Sequence, residues 1–415
     1  MIFPQKGQDI TVDIEGLVYG GEGRARYGAY DVLVPRGMPG DRLVARVSSI
    51  REATIRADIV EVLVPSPARR QPICPAFQEG CGGCQWLHMA YDAQLAWKRR
   101  LVEHAIHAYD TLAGVSIRNV IGMADPFFYR NKMVVRVRGP QENLRVGFQD
   151  ARRWVLNVFN REDGQCYIQH PLNNRLGRAL AASLRRERRP LKAATIRTSE
   201  EEEVSLDLDR KLAAALSADL EGIGRQSAQI HYAVLGRRFR VTAPSFFQAN
   251  TRQTAALVEA ALGFLPAGRI RTAIDVYCGV GLFTLFLAER ADAVYGIEEA
   301  HTAVEDAQYN AGVHAASNVR FIREKAEIAL PGIIQEAGPV DVMLIDPPRS
   351  GCHPALLDTI SRCRPRVLIY VSCNVDALAR DLARLYGLGL PVADVQPVDM
   401  FPHTYHIECV ARCTA

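Results

Sequence analysis

The stretch Asp275-Val276-Tyr277-Cys278-Gly279-Val280-Gly281 closes an apolar strand and opens the helical run Leu282-Phe283-Thr284-Leu285. A strand that passes through a glycine loop into a helix is the opening unit of a doubly wound sheet, and its glycines sit where a ligand must approach the backbone closely. Outward from this point the rhythm persists: strands 293–297, 319–322, 340–345 and 366–371 alternate with helices 282–289, 301–311, 356–362 and 375–385. Apolar strands alternating with amphipathic helices predict an α/β, Rossmann-like domain with a parallel sheet over residues 236–415.

Three more motifs end strands of that sheet. Glu298 closes Val294-Tyr295-Gly296-Ile297, where an acid can accept hydrogen bonds from both ribose hydroxyls of a nucleoside. With Tyr277 and Gly279 it fits S-adenosylmethionine better than NAD. Asp346-Pro347-Pro348-Arg349-Ser350-Gly351 ends the 340–345 strand; its two prolines remove two N–H donors and stiffen the loop, so Asp346 can be held against cofactor or base. Amino-group methyltransferases carry a similar acid-Pro-Pro-aromatic motif, but Arg349 stands in the aromatic position, which points away from an exocyclic amine. Val371-Ser372-Cys373-Asn374 ends the next strand on the same edge, so a thiol and a methyl donor share one cleft.

That pairing points to carbon 5 of uracil, a poor nucleophile until a thiolate adds at C6 and turns the ring into an enolate. A base must then remove the C5 proton before the thiol is eliminated. Glu408, in His406-Ile407-Glu408-Cys409, is the candidate, with His403 and His406 as competitors. A single cysteine at a strand end is ordinarily an inert buried thiol, and the neighbouring motifs argue against that reading of Cys373. Ser245-Phe246-Phe247-Gln248-Ala249-Asn250 brings an amide and aromatics toward cofactor or an extruded base; its plainer reading is two core phenylalanines and a helix cap.

The first half of the chain differs. A length of 415 residues at 48% hydrophobic exceeds what one core serves, so two or three domains are expected. Residues 8–66 read as short strands with glycine turns, an OB-like barrel of a kind often used on RNA, closed by Pro65-Ser66-Pro67. Residues 67–235 read as a mixed α+β central domain. Within it Cys74, Cys81 and Cys84, with the distant Cys166, supply four soft ligands for an iron-sulfur cluster, favoured here, or for zinc. Cys278, Cys352, Cys363, Cys409 and Cys413 show no ligand spacing and are expected to be buried thiols.

A formal net charge of +4 permits a nucleic-acid partner without proving one, but arginine and lysine cluster in the first half: Arg69-Arg70, Lys98-Arg99-Arg100, Arg152-Arg153 and Arg185-Arg186 with Arg188-Arg189. The alternation Arg130, Lys132, Arg136, Arg138 fits a strand with one basic face that tracks phosphates. Ten irregularly spaced cysteines, no signal peptide and no apolar run of about 18 residues predict a reducing, cytoplasmic setting without a membrane span.

In this order SFFQAN, DVYCGVGLFTL, IDPPRSG, VSCN and HIEC resemble the RNA uracil-5-methyltransferases that use S-adenosylmethionine, and the resemblance covers nearly the whole chain. The cysteines 74, 81, 84 and 166 and YRNKM at 129–133 look like the 23S ribosomal RNA branch, whose members carry a 4Fe-4S cluster; residues 8–66 look like its TRAM domain. The resemblance implies Cys373 as nucleophile and Glu408 as base, with Gln248, Tyr277, Glu298 and Asp346 around the cofactor; Lys325, a candidate adenine contact, departs from the family in standing where Asp or Asn often meets the adenine. The tRNA-methylating relatives are expected to lack cluster and barrel, so 23S rRNA is the implied substrate and a monomer the implied state. The alternatives are a tRNA methyltransferase and a noncatalytic RNA-binding or assembly factor.

Overall fold

The computed structural model describes residues 4–161, 164–187, 191–208 and 223–414; Asp163, Arg188 and Arg189 lie outside them. The first layer comprises β1 (Asp9–Asp13), β2 (Gly16–Leu17), β3 (Gly23–Tyr27), β4 (Tyr30–Val34), β5 (Arg42–Arg51) and β6 (Thr54–Val64). Hydrogen bonding runs β1-β5-β6-β4-β3-β2. Three register shifts along β5/β6 bend these long strands, and the sheet curls around Ile10, Val12, Val32, Leu43 and Ile55. Period-two alternation produces that core: in β1 Ile10 and Val12 face inward while Asp9, Thr11 and Asp13 face water.

β7 (Ser116–Ile117) belongs to a distant sheet described below. A five-stranded layer joins β8 (Lys132–Arg138), β9 (Arg145–Gly147), β10 (Ala193–Thr198), β11 (Glu203–Asp207) and β12 (Arg225–Gln226) in the order β12-β11-β10-β8-β9. The helix Pro171–Glu187 covers one face through Leu176, Leu180 and Leu184. On β8, Met133, Val135 and Val137 are buried while Arg136 and Arg138 face solvent, so the basic strand face anticipated from the sequence is present. β13 (Gln229–Val234) and β14 (Arg237–Thr242) form a hairpin tied to the next layer by Arg240 Nε, 2.8 Å from the buried Asp306 carboxylate.

The third layer is an eight-stranded sheet of β15 (Ile270–Val276), β16 (Ala291–Glu298), β17 (Val319–Arg323), β18 (Val342–Ile345), β19 (Val367–Ser372), β20 (Val392–Val398) and β21 (Glu408–Thr414), with β7 at one edge. Its order is β17-β16-β15-β18-β19-β21-β20-β7. The strands from β17 to β19 are parallel, as expected, but β21 runs antiparallel to both β19 and β20. The sheet is therefore mixed rather than parallel, because the chain returns from β20 by a turn with no crossover helix. The strand order reverses between β15 and β18, so their C-terminal ends flank the crevice where such sheets take ligands. The helices Thr251–Leu262 and Ala326–Ala337 and strand β20 were absent from the sequence reading.

Residues 91–123 pack on this third layer: the helix Tyr91–His107 lies against the helix Val375–Gly387, and Ser116–Ile117 pairs with β20. Among the described residues no helix is long and apolar enough to cross a membrane.

Candidate active site

A continuous cavity of about 820 Å³ opens at the C-terminal ends of β15, β18 and β19 and extends to a cysteine-bearing wall. Cys373, Glu408, Gln248, Tyr277, Gly279, Glu298, Asp346, Cys74, Cys81, Cys84 and Cys166 all line it. Lys325 does not: it is exposed at the start of the helix Ala326–Ala337.

The glycine loop is held by backbone geometry and one acid. Tyr277 has φ +66°, a left-handed conformation costly for a side-chain residue, and Gly279 follows at φ +55°. A Cβ at Gly279 would have nothing within 4 Å, so the backbone there faces open space. Glu298 clamps the loop: its carboxylate accepts from the Gly279 N–H at 3.0 Å and the Ala300 N–H at 2.9 Å. Asp275, wholly buried beneath, accepts from the Thr284 hydroxyl at 2.5 Å with one oxygen and leaves the other unpartnered. Burial and the neighbouring acids Asp346 and Glu298 push its carboxyl up to about 7.

Across the crevice the loop 346–351 is pinned by the buried Asp381, which accepts from the Cys352 N–H at 2.8 Å and the Tyr370 hydroxyl at 2.7 Å. Asn374 locks it to the thiol loop. Its Nδ2 donates to the Arg349 carbonyl at 2.9 Å, while Oδ1 caps the helix Val375–Gly387 by accepting from Asp376 and Ala377. Cys373 is thereby fixed between a strand end and a capped helix, half-buried.

The electrostatics are dominated by acids. Asp346 is pushed up to about 7 by burial, and Glu408, buried and close to Asp346, is held well above the ordinary carboxyl range. Burial and these two carboxyls raise the Cys373 thiol to about 11; the nearby Arg349 guanidinium works the other way. Arg349 is a cavity residue beside the thiol to which the sequence reading gave no role. The motif comparison had treated it only as a missing aromatic, whereas its guanidinium is the cationic partner of the thiol. The raised acids Asp275, Asp346 and Glu408 favour a cationic occupant, which would let them ionise.

The histidines separate. His403 is buried away from the cavity lining, its ring stacked on Phe127 at 4.6 Å and its backbone N–H donating to Gln94 Oε1. His406 lines the cavity, and burial beside Arg349, Lys98 and Arg130 pushes it down to about 4, so it is neutral at pH 7. In the 245–250 stretch both sequence readings hold in part. Phe247 is core, stacked on Tyr232 at 4.8 Å, and Asn250 caps the helix Thr251–Leu262, while Phe246 is 67% exposed at the cavity rim.

The basic clusters also divide. Lys98 is fully buried, 2.5 Å from Asp399, and Arg69 is paired with buried Asp41, so neither is open to RNA; Arg100 is exposed. Arg130 and Lys132 line the catalytic cavity.

The four cysteines lie on the cavity wall formed by residues 74–84 and the 164–169 segment. All are free thiols within electrostatic reach of one another. The backbone N–H of Gly83 points at the Cys81 sulfur, and those of Ile168 and Gln169 at the Cys166 sulfur. Among the described residues no group of three or more His, Cys, Asp or Glu is disposed to hold a metal ion. Of the five remaining cysteines, Cys278, Cys352, Cys409 and Cys413 are buried as expected, whereas Cys363 is partly exposed at a helix end.

Residues 225–412 match the profile of a family described as tRNA (uracil-5-)-methyltransferase. An uncharacterized RNA methyltransferase of Halalkalibacterium halodurans is 33% identical over 98% of this chain and 97% of its own length. The chain belongs to the RNA uracil-5-methyltransferase family. Other family relatives of similar extent are RNA methyltransferases of Bacillus cereus, 32% identical over 98% of this chain and 97% of that one, and of Caldanaerobacter subterraneus, 31% identical over 98% of each.

One solved structure shares the fold of this family member end to end. The tRNA (uracil-54, C5)-methyltransferase of Pyrococcus abyssi, in complex with S-adenosyl-L-homocysteine, superposes with a TM-score of 0.74 over 98% of this chain and 100% of that one, at 22% identity. This corrects one expectation: a tRNA-methylating relative does extend over the N-terminal strands. The barrel therefore does not separate ribosomal from transfer RNA substrates within the family.

Proposed function

We propose that the protein uses S-adenosylmethionine to methylate carbon 5 of a uridine in 23S rRNA through a covalent Cys373–C6 adduct. The observation that supports this reading most is the convergence of Cys373, Arg349, Glu408 and Asp346 in one cavity with the Gly279 loop. Arg349 stabilises the thiolate as the Cys373 sulfur bonds to C6 and electron density moves onto the uracil carbonyl as an enolate. S-adenosylmethionine supplies the methyl group that C5 captures. Glu408, in its ionised form, takes the remaining C5 proton; the C5=C6 bond re-forms and the Cys373 sulfur leaves as thiolate. Gln248, Tyr277, Gly279, Glu298 and Asp346 would surround the donor, the acids facing its positive charge.

The choice of 23S rRNA rests on the four cysteines, which we take to bind a 4Fe-4S cluster. The support is donor chemistry: four thiols from separated segments share one wall, and amide N–H groups point at two of the sulfurs. It stands against the absence, among the described residues, of any group of three or more His, Cys, Asp or Glu disposed to hold a metal ion. Protein purified without oxygen should be brown and contain iron; a colourless, iron-free protein sinks the cluster.

A second reading, a tRNA substrate, is favoured by the end-to-end likeness to the archaeal enzyme. Labelled methyl transfer to unmodified 23S rRNA and to tRNA decides between them. Methyluridine in 23S rRNA that vanishes with Cys373→Ala is expected. Transfer to tRNA alone overturns the ribosomal assignment, and transfer to neither favours a noncatalytic RNA-binding factor.

A further inference from the structure

A second cavity, of about 650 Å³, opens beside the catalytic one. Three parts of the chain build it: the edge of the curled sheet with Tyr19 and Arg24, the helix Tyr91–His107 with Trp97 and Arg100, and the first turns of the helix Val375–Gly387. None of the residues assigned above to thiol, base, cofactor or cluster lines it.

Its content is that of a stacking platform. The Arg100 guanidinium lies 4.7 Å from the Trp97 ring centroid, and the ring is backed by the barrel: a Cβ at Gly16 would stand 3.4 Å from it. Arg100 is exposed, as are Arg24 and His104 on the same lining. A planar cation held on an indole accepts any base face, and the Arg24 guanidinium with the polar His104 ring suits a phosphodiester.

The groove neighbours the reacting centre. Asp376 lines the groove and Cys373 lines the catalytic cavity, on either side of the Asn374 cap. Tyr19 forms the partition. Its ring meets Tyr405 edge-on at 5.3 Å, and Tyr405 lies 4.2 Å from His406, which faces the thiol side. The turn behind Tyr19 is fixed: Trp86 Nε1 donates to the Gly21 carbonyl at 3.0 Å, and a Cβ at Gly21 would meet Gln85 at 3.0 Å and Tyr405 at 3.2 Å. Burial beside Tyr405, Asp376 and Cys373 raises the Tyr19 hydroxyl, which stays a hydrogen-bond donor at neutral pH.

We propose that this groove takes the unpaired RNA nucleotide next to the target uridine, its base stacked on the Arg100–Trp97 pair and its phosphate beside Arg24 and His104. The proposal rests on the RNA reading above. Extruding one base into the catalytic cavity leaves its neighbour unstacked, and the groove offers that neighbour a replacement partner across the Tyr19 partition.

The test measures binding rather than turnover. Fluorescein-labelled single-stranded RNA heptamers with a central uridine are titrated by anisotropy against protein saturated with S-adenosylhomocysteine. A second set carries 4-thiouridine next to the central base for cross-linking. Arg100→Ala and Trp97→Leu should each weaken heptamer binding about tenfold, with affinity for S-adenosylhomocysteine unchanged as the check on folding. The cross-link should map to residues 91–107. No heptamer binding by the wild type, unchanged binding in both variants, or a cross-link confined to other segments overturns the groove. Heptamer binding that depends on Arg100 in a protein that transfers no methyl overturns the catalytic reading and leaves the groove standing.

Discussion

Ser372 pairs with Cys409 across the antiparallel junction of β19 and β21, which places Cys373 just past the end of one strand and Glu408 at the start of its neighbour. A parallel β21 would begin at the opposite edge of the sheet. The reversal of one strand is thus what brings Cys373 and Glu408, the proposed nucleophile and base, into one cavity.

The roles assigned to that pair separate in a Glu408→Gln variant. Thiol addition and methyl capture need no carboxylate at 408, whereas proton removal does. The variant should therefore accumulate protein covalently joined to methylated RNA and release no product. A band of retarded mobility on a denaturing gel, absent with Cys373→Ala, is the expected result; free methylated RNA at the wild-type rate removes Glu408 as the base.

Burial, helped by Glu408 and Asp346, raises Cys373 to about 11, and Arg349 opposes that rise. Arg349→Gln should lower kcat by about a hundredfold or more, the scale of removing one preorganised donor to a developing anion. The rate should recover partly as pH rises toward the thiol range, and S-adenosylhomocysteine affinity should change little. A pH–rate profile parallel to that of the wild type would remove Arg349 from thiol activation.

Asp346 is raised from 3.8 to about 7 by burial, which gives two predictions of opposite sign. The folded state holds a proton that the unfolded state has already lost, so this contribution to stability is complete below about pH 4 and fades as pH rises through 7. Affinity for the sulfonium of S-adenosylmethionine, relative to the uncharged sulfur of S-adenosylhomocysteine, should instead increase through pH 7. Thermal unfolding and calorimetric titration from pH 5 to 9 should show both trends, and Asp346→Asn should weaken both, leaving the share that Asp275 and Glu408 contribute.

Lys98 lies 2.5 Å from Asp399 and donates to the Phe401 carbonyl at 3.0 Å, while the Tyr91 hydroxyl donates to Asp399 at 2.9 Å. Lys98→Met leaves an unpaired buried carboxylate and should cost about 3–5 kcal/mol. Lys98→Met with Asp399→Leu should recover most of that loss, because an apolar pair carries no desolvation penalty. Urea denaturation of the two variants is the measurement.

Much of the site was legible because a doubly wound sheet presents its ligands at strand ends, and motifs at strand ends can be read in one dimension. Asp275, Glu298, Asp346 and Cys373 each close an apolar run, so their shared edge follows from strand direction alone. The alternating burial of β8 was equally local, a consequence of the two-residue period. The helix Ala326–Ala337 was missed because an internal proline, Pro331, interrupts its pattern, and β20 because Asp394 and Gln396 are buried polar residues within it.

What the amino-acid sequence by itself determined, then, was chemistry type and strand-end position: thiol, base, glycine loop and four cysteines, each carried by local pattern. Tertiary structure decided which charges meet. Tyr91, Gln94 and Lys98 share one helix face at spacings of three and four, which reads as a solvated stripe until Asp399 and His403 cover it. Lys98 and Arg100 stand two residues apart on a helix and so face different directions. One is sealed against a carboxylate some three hundred residues away and the other lies exposed on the Trp97 ring in a groove between layers. Local periodicity fixes which face a residue occupies; only long-range packing fixes what that face meets, and that sets its charge, its exposure and its use.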